Sequence, residues 1–149
     1  MESVVFERHA WISACGLLLA IYALYVEMRK TLDSNYVALC DFSEKISCSR
    51  ILTSRYFRGF GLAKHLIGEN HLLNQPNCIL GILFYVINIF CGLFWPSCRF
   101  LFVSSLLSCV SSVYLAFILL LKLRSVCVVC VATYAVNFAL LHNVFSNCP

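Results

Sequence analysis

This chain predicts an all-α integral membrane fold, a bundle of four transmembrane helices with a long cap loop between the first two, and three observations carry that prediction. Of its 149 residues, 61% are hydrophobic and 12% charged, with a mean hydropathy of +0.85. That balance excludes an ordinary soluble domain. The apolar residues gather into four stretches, each near the roughly 20 residues that cross a hydrocarbon core of about 30 Å. The hydrophilic residues are concentrated in one segment, 27–77.

The first span, residues 10–26, carries no charge and is short but sufficient. Arg8 and His9 would flank a secretory signal, but Tyr25-Val26-Glu27-Met28 lacks the small residues of a cleavage site, so a retained helix is expected. The loop follows, 27–77. The second span, 78–95, is interrupted only by Asn88, and the third, 100–121, is the cleanest, bounded by Arg99 and Lys122. The fourth, 126–145, contains Tyr134, Asn137, His142 and Asn143. The turns at 96–99 and 122–125 are tight, so the last three spans are expected to pack as an antiparallel set. With no internal repeat, residues 1–149 read as a single membrane domain. Four crossings put the 122–125 turn, and with it the start of the fourth span, on the face that carries the long loop.

That start holds the most informative motif, Cys127-Val128-Val129-Cys130. Two thiols three residues apart on a helix share a face and can close into a disulfide, a two-electron switch beside lipid, where quinones dissolve and water-soluble reductants do not. Cys127, at a helix N-terminus, has its thiolate favoured by the partial positive charge there. Cys40 and Cys48 lie on the same membrane face. Their seven-residue gap suits a mobile loop that carries one thiol to an external partner and another to the membrane pair, as thiol–disulfide exchange requires. A four-thiolate zinc site also uses C-x-x-C halves. The wide first gap and the intramembrane second pair argue against it, and no metal is expected. The other six cysteines, Cys15, Cys78, Cys91, Cys98, Cys109 and Cys148, are expected to be dispensable to catalysis, with Cys98 and Cys148 reduced on the opposite side.

Charge and cysteine usage disagree on orientation. The loop carries seven Lys and Arg and the 122–125 turn two more, against Arg8 and Arg99 opposite, which by the positive-inside rule places the loop in the cytosol. Stable disulfides belong in an oxidising compartment, and that argument is given more weight, placing the loop in a lumen.

Along the fourth span Cys127, Cys130, Tyr134 and Asn137 recur at steps of three, four and three, one helical stripe. A phenol one turn below a reactive thiol can donate to a bound carbonyl; polar groups in membrane helices also commonly bond between helices. Asn77 sits at the same face and depth, either a ligand donor or a helix cap. Residues 50–61 interleave Ile51, Leu52, Tyr56, Phe57 and Phe60 with Arg50, Arg55 and Arg58, as in a segment lying in the membrane interface. The glycines of Arg58-Gly59-Phe60-Gly61 mark a flexible or tightly turned hinge. The lipid membrane is a partner by composition, and no nucleic-acid partner is expected.

Over nearly its whole length the chain resembles the vitamin K epoxide reductase family. The resemblance rests on Ala38-Leu39-Cys40-Asp41, Ser47-Cys48-Ser49, Arg58-Gly59-Phe60-Gly61, Leu73-Asn74-Gln75-Pro76-Asn77, and Cys127-Val128-Val129-Cys130 followed by Thr133-Tyr134. It implies a multi-pass protein of the endoplasmic reticulum membrane whose helices surround a quinone pocket under a lumenal cap. It implies that Cys130 attacks vitamin K epoxide or quinone and Cys127 resolves it. Cys48 then reduces the Cys127–Cys130 disulfide, and Cys40 exchanges with a thioredoxin-like lumenal oxidoreductase. Asn77 and Tyr134 match the positions that hydrogen-bond the substrate carbonyls, and Phe84 matches a ring-packing position. No permanently bound cofactor is implied; vitamin K quinone or epoxide is the substrate, the redox-active disulfides carry the electrons, and warfarin-type anticoagulants are ligands of such proteins. Leu52, Tyr56 and Leu80 stand where larger aromatics are usual, and Cys78 replaces a usual serine. Two other functions fit the same residues: a quinone-coupled thiol oxidase that makes disulfides in lumenal proteins, and a non-catalytic scaffold with structural cysteines.

Overall fold

The computed structural model describes residues 2–61 and 75–148; Lys64, Leu73 and Asn74 of the sequence arguments lie outside the described residues. Four helices are long and apolar enough to cross a membrane. Helix α1 is Glu2–Leu32, α2 the short Cys48–Leu52 of the loop, α3 Asn77–Phe94, α4 Cys98–Ile118 and α5 Val128–Asn147. At 31 residues, α1 is about 46 Å long. It therefore exceeds a hydrocarbon core of about 30 Å and takes in Glu27, which hydropathy assigned to the loop. Charge ends a hydrophobic span, but it does not end a helix.

The inward face of α1 is a stripe of mostly small residues, among them His9, Ser13, Ala20 and Ala23. Small side chains permit close approach on both flanks. On one, Gly16 lies against the Tyr85 ring, Gly81 against Ala20, and Gly92 against Ala10 and the Phe6 carbonyl, all α1–α3 contacts. On the other, Asn143 of α5 donates to the Val5 carbonyl at 3.1 Å. Helix α1 is thus the centre of the bundle, packed along α3 and α5, with α4 on the far side of α5. The expected antiparallel set of the last three spans is corrected here. Helices α3 and α4, joined by a tight turn, barely touch, and the space between them is a cavity.

The Gly16 contact makes a stability prediction. A Cβ at that position would overlap the Tyr85 ring, and the ring cannot swing aside, because its hydroxyl donates to Asn137 Oδ1 at 2.8 Å. Gly16→Val is expected to destabilise by about 3 kcal/mol, the upper end of the usual overpacking cost, read as a lower thermal midpoint in detergent.

Helix α4 closes in a widened turn, Leu119–Leu123, and reverses at Arg124 in the left-handed conformation (φ 47°). The loop docks on the chain that follows: Val126 N–H donates to the Lys45 carbonyl at 2.7 Å and Ser47 N–H to the Val126 carbonyl at 3.1 Å. Further on, Gly59, Phe60 and Gly61 all take positive φ (53°, 57° and 71°). The Arg58–Gly61 segment is therefore a tight turn, and its flanking glycines accept the left-handed backbone without strain.

A correction concerns Cys98 and Cys148, which are joined in a disulfide rather than free. Two antiparallel helices of similar length, linked by a tight turn, bring the start of α4 and the end of α5 to one level, a register that hydropathy does not contain. Bridged pairs therefore stand at both ends of the bundle, and disulfide position alone does not distinguish its two faces.

Candidate active site

Cys127 is the N-cap of α5, and its sulfur accepts the Cys130 N–H at 3.2 Å, a bond that stabilises negative charge on that sulfur. The two sulfurs are 2.6 Å apart and unbridged. Their environments differ. Cys127 is sealed (0% exposed) beneath the loop, whereas Cys130 is on the wall of a cavity of about 330 Å³, a size that suits a small-molecule ligand.

Cys40 and Cys48 are joined to each other and share one buried cluster with Cys127, Cys130, Val26, Ile51 and Phe57. The four cysteines singled out by sequence are thus assembled in two adjacent pairs. Cys48 is the inner member (0% exposed) and Cys40 the outer (8%), beside Leu39, which is almost fully exposed. Among the described residues no group of three or more His, Cys, Asp or Glu side chains converges as metal ligands would.

Asp41, quoted in a motif but given no role by sequence, holds the loop pair in place. Its Oδ2 accepts the Ala38 N–H at 2.8 Å and the Ser49 hydroxyl at 2.6 Å, and its Oδ1 the Ser49 N–H at 3.0 Å. The neighbour of Cys40 is thereby tied to the neighbour of Cys48. Burial works against its charge, but these hydrogen bonds, with one from Ser47, outweigh burial and hold its carboxyl below the usual carboxylate value. A depressed folded-state pKa stabilises fully above the ordinary aspartate range and loses that contribution as pH falls through the folded value. Asp41→Ala is expected to loosen the loop at neutral pH by about 1–2 kcal/mol, allowing for partial exposure. The measurement is the rate at which an acid-tolerant phosphine reduces Cys40–Cys48; the intact protein should show the same acceleration only in acid, below about pH 3.9.

The cavity is walled by α1, the cap turn, α3, α4 and α5, with Phe57 and Phe60 above and Phe84 at the side. Phe84 packs edge-on to Tyr85, their ring centroids 5.1 Å apart. Two residues of this apolar wall carry polar groups that lack partners among the described residues. Asn77 Oδ1 accepts the Phe60 N–H at 2.9 Å, which leaves its buried Nδ2 unpaired, and the buried Tyr134 hydroxyl likewise has no partner among them. Because the Phe60 N–H is only a donor, the Asn77 oxygen must face it and the amide nitrogen is left over. Buried polar groups are almost always paired, so two orphans on one cavity call for an explanation.

Asn137, on the same stripe, behaves differently. It accepts from Tyr85, donates to Ser112 Oγ at 2.8 Å, and its carbonyl accepts the Cys109 thiol. It is an interhelical tie. Sequence reasoning missed Tyr85, as well as Ser104, Ser108, Ser111 and Ser112, which line the α4 side of the cavity. The serines did leave a signal, since 104, 108, 111 and 112 recur at helical steps.

A dithiol on an apolar cavity inside a membrane bundle, with a disulfide packed over it, defines a membrane thiol–disulfide oxidoreductase. The chain belongs to the vitamin K epoxide reductase family, whose sequence model matches residues 9–145. It is 46% identical to the Vitamin K epoxide reductase complex subunit 1 of Mus musculus over 137 residues, 90% of this chain and 84% of that protein. Identity to the Rattus norvegicus protein of the same name is 44% over the same shares.

Proposed function

We propose that this protein reduces vitamin K 2,3-epoxide to the quinone and the quinone to the hydroquinone, with Cys130 as the attacking thiol and Cys127 as the resolving one. The observation that carries the reading is that Cys130, Asn77 and Tyr134 line one apolar cavity, and that Asn77 Nδ2 and the Tyr134 hydroxyl are buried without a partner among the described residues. The Cys130 thiolate opens the epoxide, and the oxygen that becomes an alkoxide is met by the Asn77 and Tyr134 donors. Cys127 then displaces the bound carbon from Cys130, forming the disulfide. Epoxide plus dithiol yields quinone, disulfide and water; quinone plus dithiol yields hydroquinone and disulfide. Fixed donors in a water-poor cavity stabilise developing charge strongly. Phe84 packs on the ligand rings, and warfarin-type anticoagulants compete for the same cavity.

Recharging runs inward. A thioredoxin-like partner in the endoplasmic reticulum lumen reduces Cys40–Cys48 at the outer sulfur, Cys40, and the freed Cys48 attacks the Cys127–Cys130 disulfide. Cys40→Ser is expected to keep near-normal turnover with a small membrane-permeable dithiol and to lose it with a protein dithiol donor. Equal loss with both would break the relay.

The test is mass-spectrometric thiol trapping of reduced protein in detergent, exposed to vitamin K epoxide or to quinone. Stoichiometric oxidation of Cys127 and Cys130 as product forms is the expected result. Turnover of quinone without any of epoxide would leave the oxidase, and two thiols unchanged by either ligand would leave the scaffold.

A further inference from the structure

We infer that Glu27 is a positioning residue, a buried carboxylate that latches the cap turn to the bundle and thereby aims the Asn77 amide into the cavity. The inference rests on the proposed role of Asn77 toward the substrate.

Glu27 is near the loop end of α1 and only 4% exposed. Its two oxygens are divided between two chain segments: Oε1 meets Arg58 Nη2 at 3.5 Å, and Oε2 accepts the Cys78 thiol at 3.2 Å. Arg58 is two residues before Phe60, and Cys78 is the residue after Asn77. Between those two anchors runs the bond from Phe60 N–H to Asn77 Oδ1, 2.9 Å long. Glu27, Arg58, Phe60, Asn77 and Cys78 thus close a ring in which the carboxylate holds a chain neighbour of each partner of the bond that orients the amide. If the cap turn lifts, Asn77 loses its acceptor role and its amide is free to rotate.

Stability does not account for this carboxylate. A buried charge is costly to desolvate, and its compensation here is poor, since the Arg58 side chain is 52% exposed and meets it through a single 3.5 Å contact. It is the one ion pair among the described residues. Replacing such a group by a neutral one of the same shape often leaves a fold as stable or more so. The ring, in contrast, gives Glu27 a task at the cavity that an apolar residue would not perform.

The experiment uses the full chain in detergent, with vitamin K epoxide and a small dithiol. Glu27→Gln is expected to lower kcat/KM by roughly 10 to 100-fold, the scale of a misplaced site group, while the thermal midpoint stays level or rises. It should also speed hydrogen exchange at the Phe60 amide, which needs no turnover to be read. In an Asn77→Ala background, Glu27→Gln should have no further effect on kcat/KM, because both act through one group. Unchanged kcat/KM in Glu27→Gln, or its full loss on top of Asn77→Ala, would overturn the latch. If Glu27→Gln does not fold, Arg58→Gln, at a half-exposed position, must show the same loss and Arg58→Lys must restore it; absence of that loss overturns the latch equally. An Asn77→Ala protein with normal kcat/KM removes instead the role of Asn77, a different result from a latch that fails while Asn77 matters.

Discussion

Cys130→Ser is expected to bring turnover of both epoxide and quinone to background, the largest effect any substitution in this chain should have. Cys130, the proposed nucleophile, is on the cavity wall, and a hydroxyl is a far weaker nucleophile than a thiolate without a strong base beside it. Serine also cannot form the disulfide that takes up the two electrons. Cys127→Ser makes the complementary case. The Cys127 sulfur is 2.6 Å from that of Cys130 but does not line the cavity, so attack should proceed and resolution fail. Intact-protein mass spectrometry should then show Cys130 carrying the substrate. Turnover surviving in Cys130→Ser, or an adduct on Cys127 in the reverse experiment, would exchange or remove the assigned roles.

The second large effect is expected at the two unpaired donors. Asn77→Ala and Tyr134→Phe should each cost roughly 10 to 1,000-fold in kcat/KM, the range for single oxyanion donors, or about 1.4–4 kcal/mol of transition-state stabilisation. The two substitutions differ in what else they disturb. Asn77→Ala also removes the acceptor for the Phe60 N–H, so it loosens the cap as well as deleting a donor. Tyr134→Phe deletes only a hydroxyl that has no partner among the described residues, and it is the cleaner measurement. A Tyr134→Phe protein with unchanged kcat/KM would leave Asn77 as the sole donor. Asn137 serves as the control on the same stripe: its amide is fully engaged with Tyr85 and Ser112, so its substitution should lower the thermal midpoint before it touches the chemistry.

These assignments were legible in the sequence to different depths. The C-x-x-C pair and Tyr134 on one face follow from helical spacing alone, and the structure places Cys130 and Tyr134 on the same cavity wall. Asn77 was ambiguous between cap and ligand donor. The structure shows a side chain that engages Phe60 with its oxygen and leaves its nitrogen unpaired. Asp41 and Glu27 had no visible role, because their partners are 8 and 31 residues away and no local pattern joins them. Span boundaries drifted by a few residues at 78–95, 100–121 and 126–145, and by more at 10–26. Hydropathy measures what prefers lipid, whereas a helix persists through any residue whose backbone hydrogen bonds are satisfied.

By itself the sequence determined that this is a membrane protein of four apolar helices with a dithiol at the loop-facing start of the last one. Apolar content, span length and helical period are properties of neighbouring residues, and the backbone converts them into structure without reference to the rest of the chain. Only the tertiary structure decided which helix is central, where the cavity opens, that Cys98 meets Cys148, and which polar groups on the cavity are left unpaired. Those outcomes depend on how closely helices approach and in what register, set here by contacts such as Gly16 with Tyr85 and Gly92 with the Phe6 carbonyl, and interhelical register is not encoded in any single stretch.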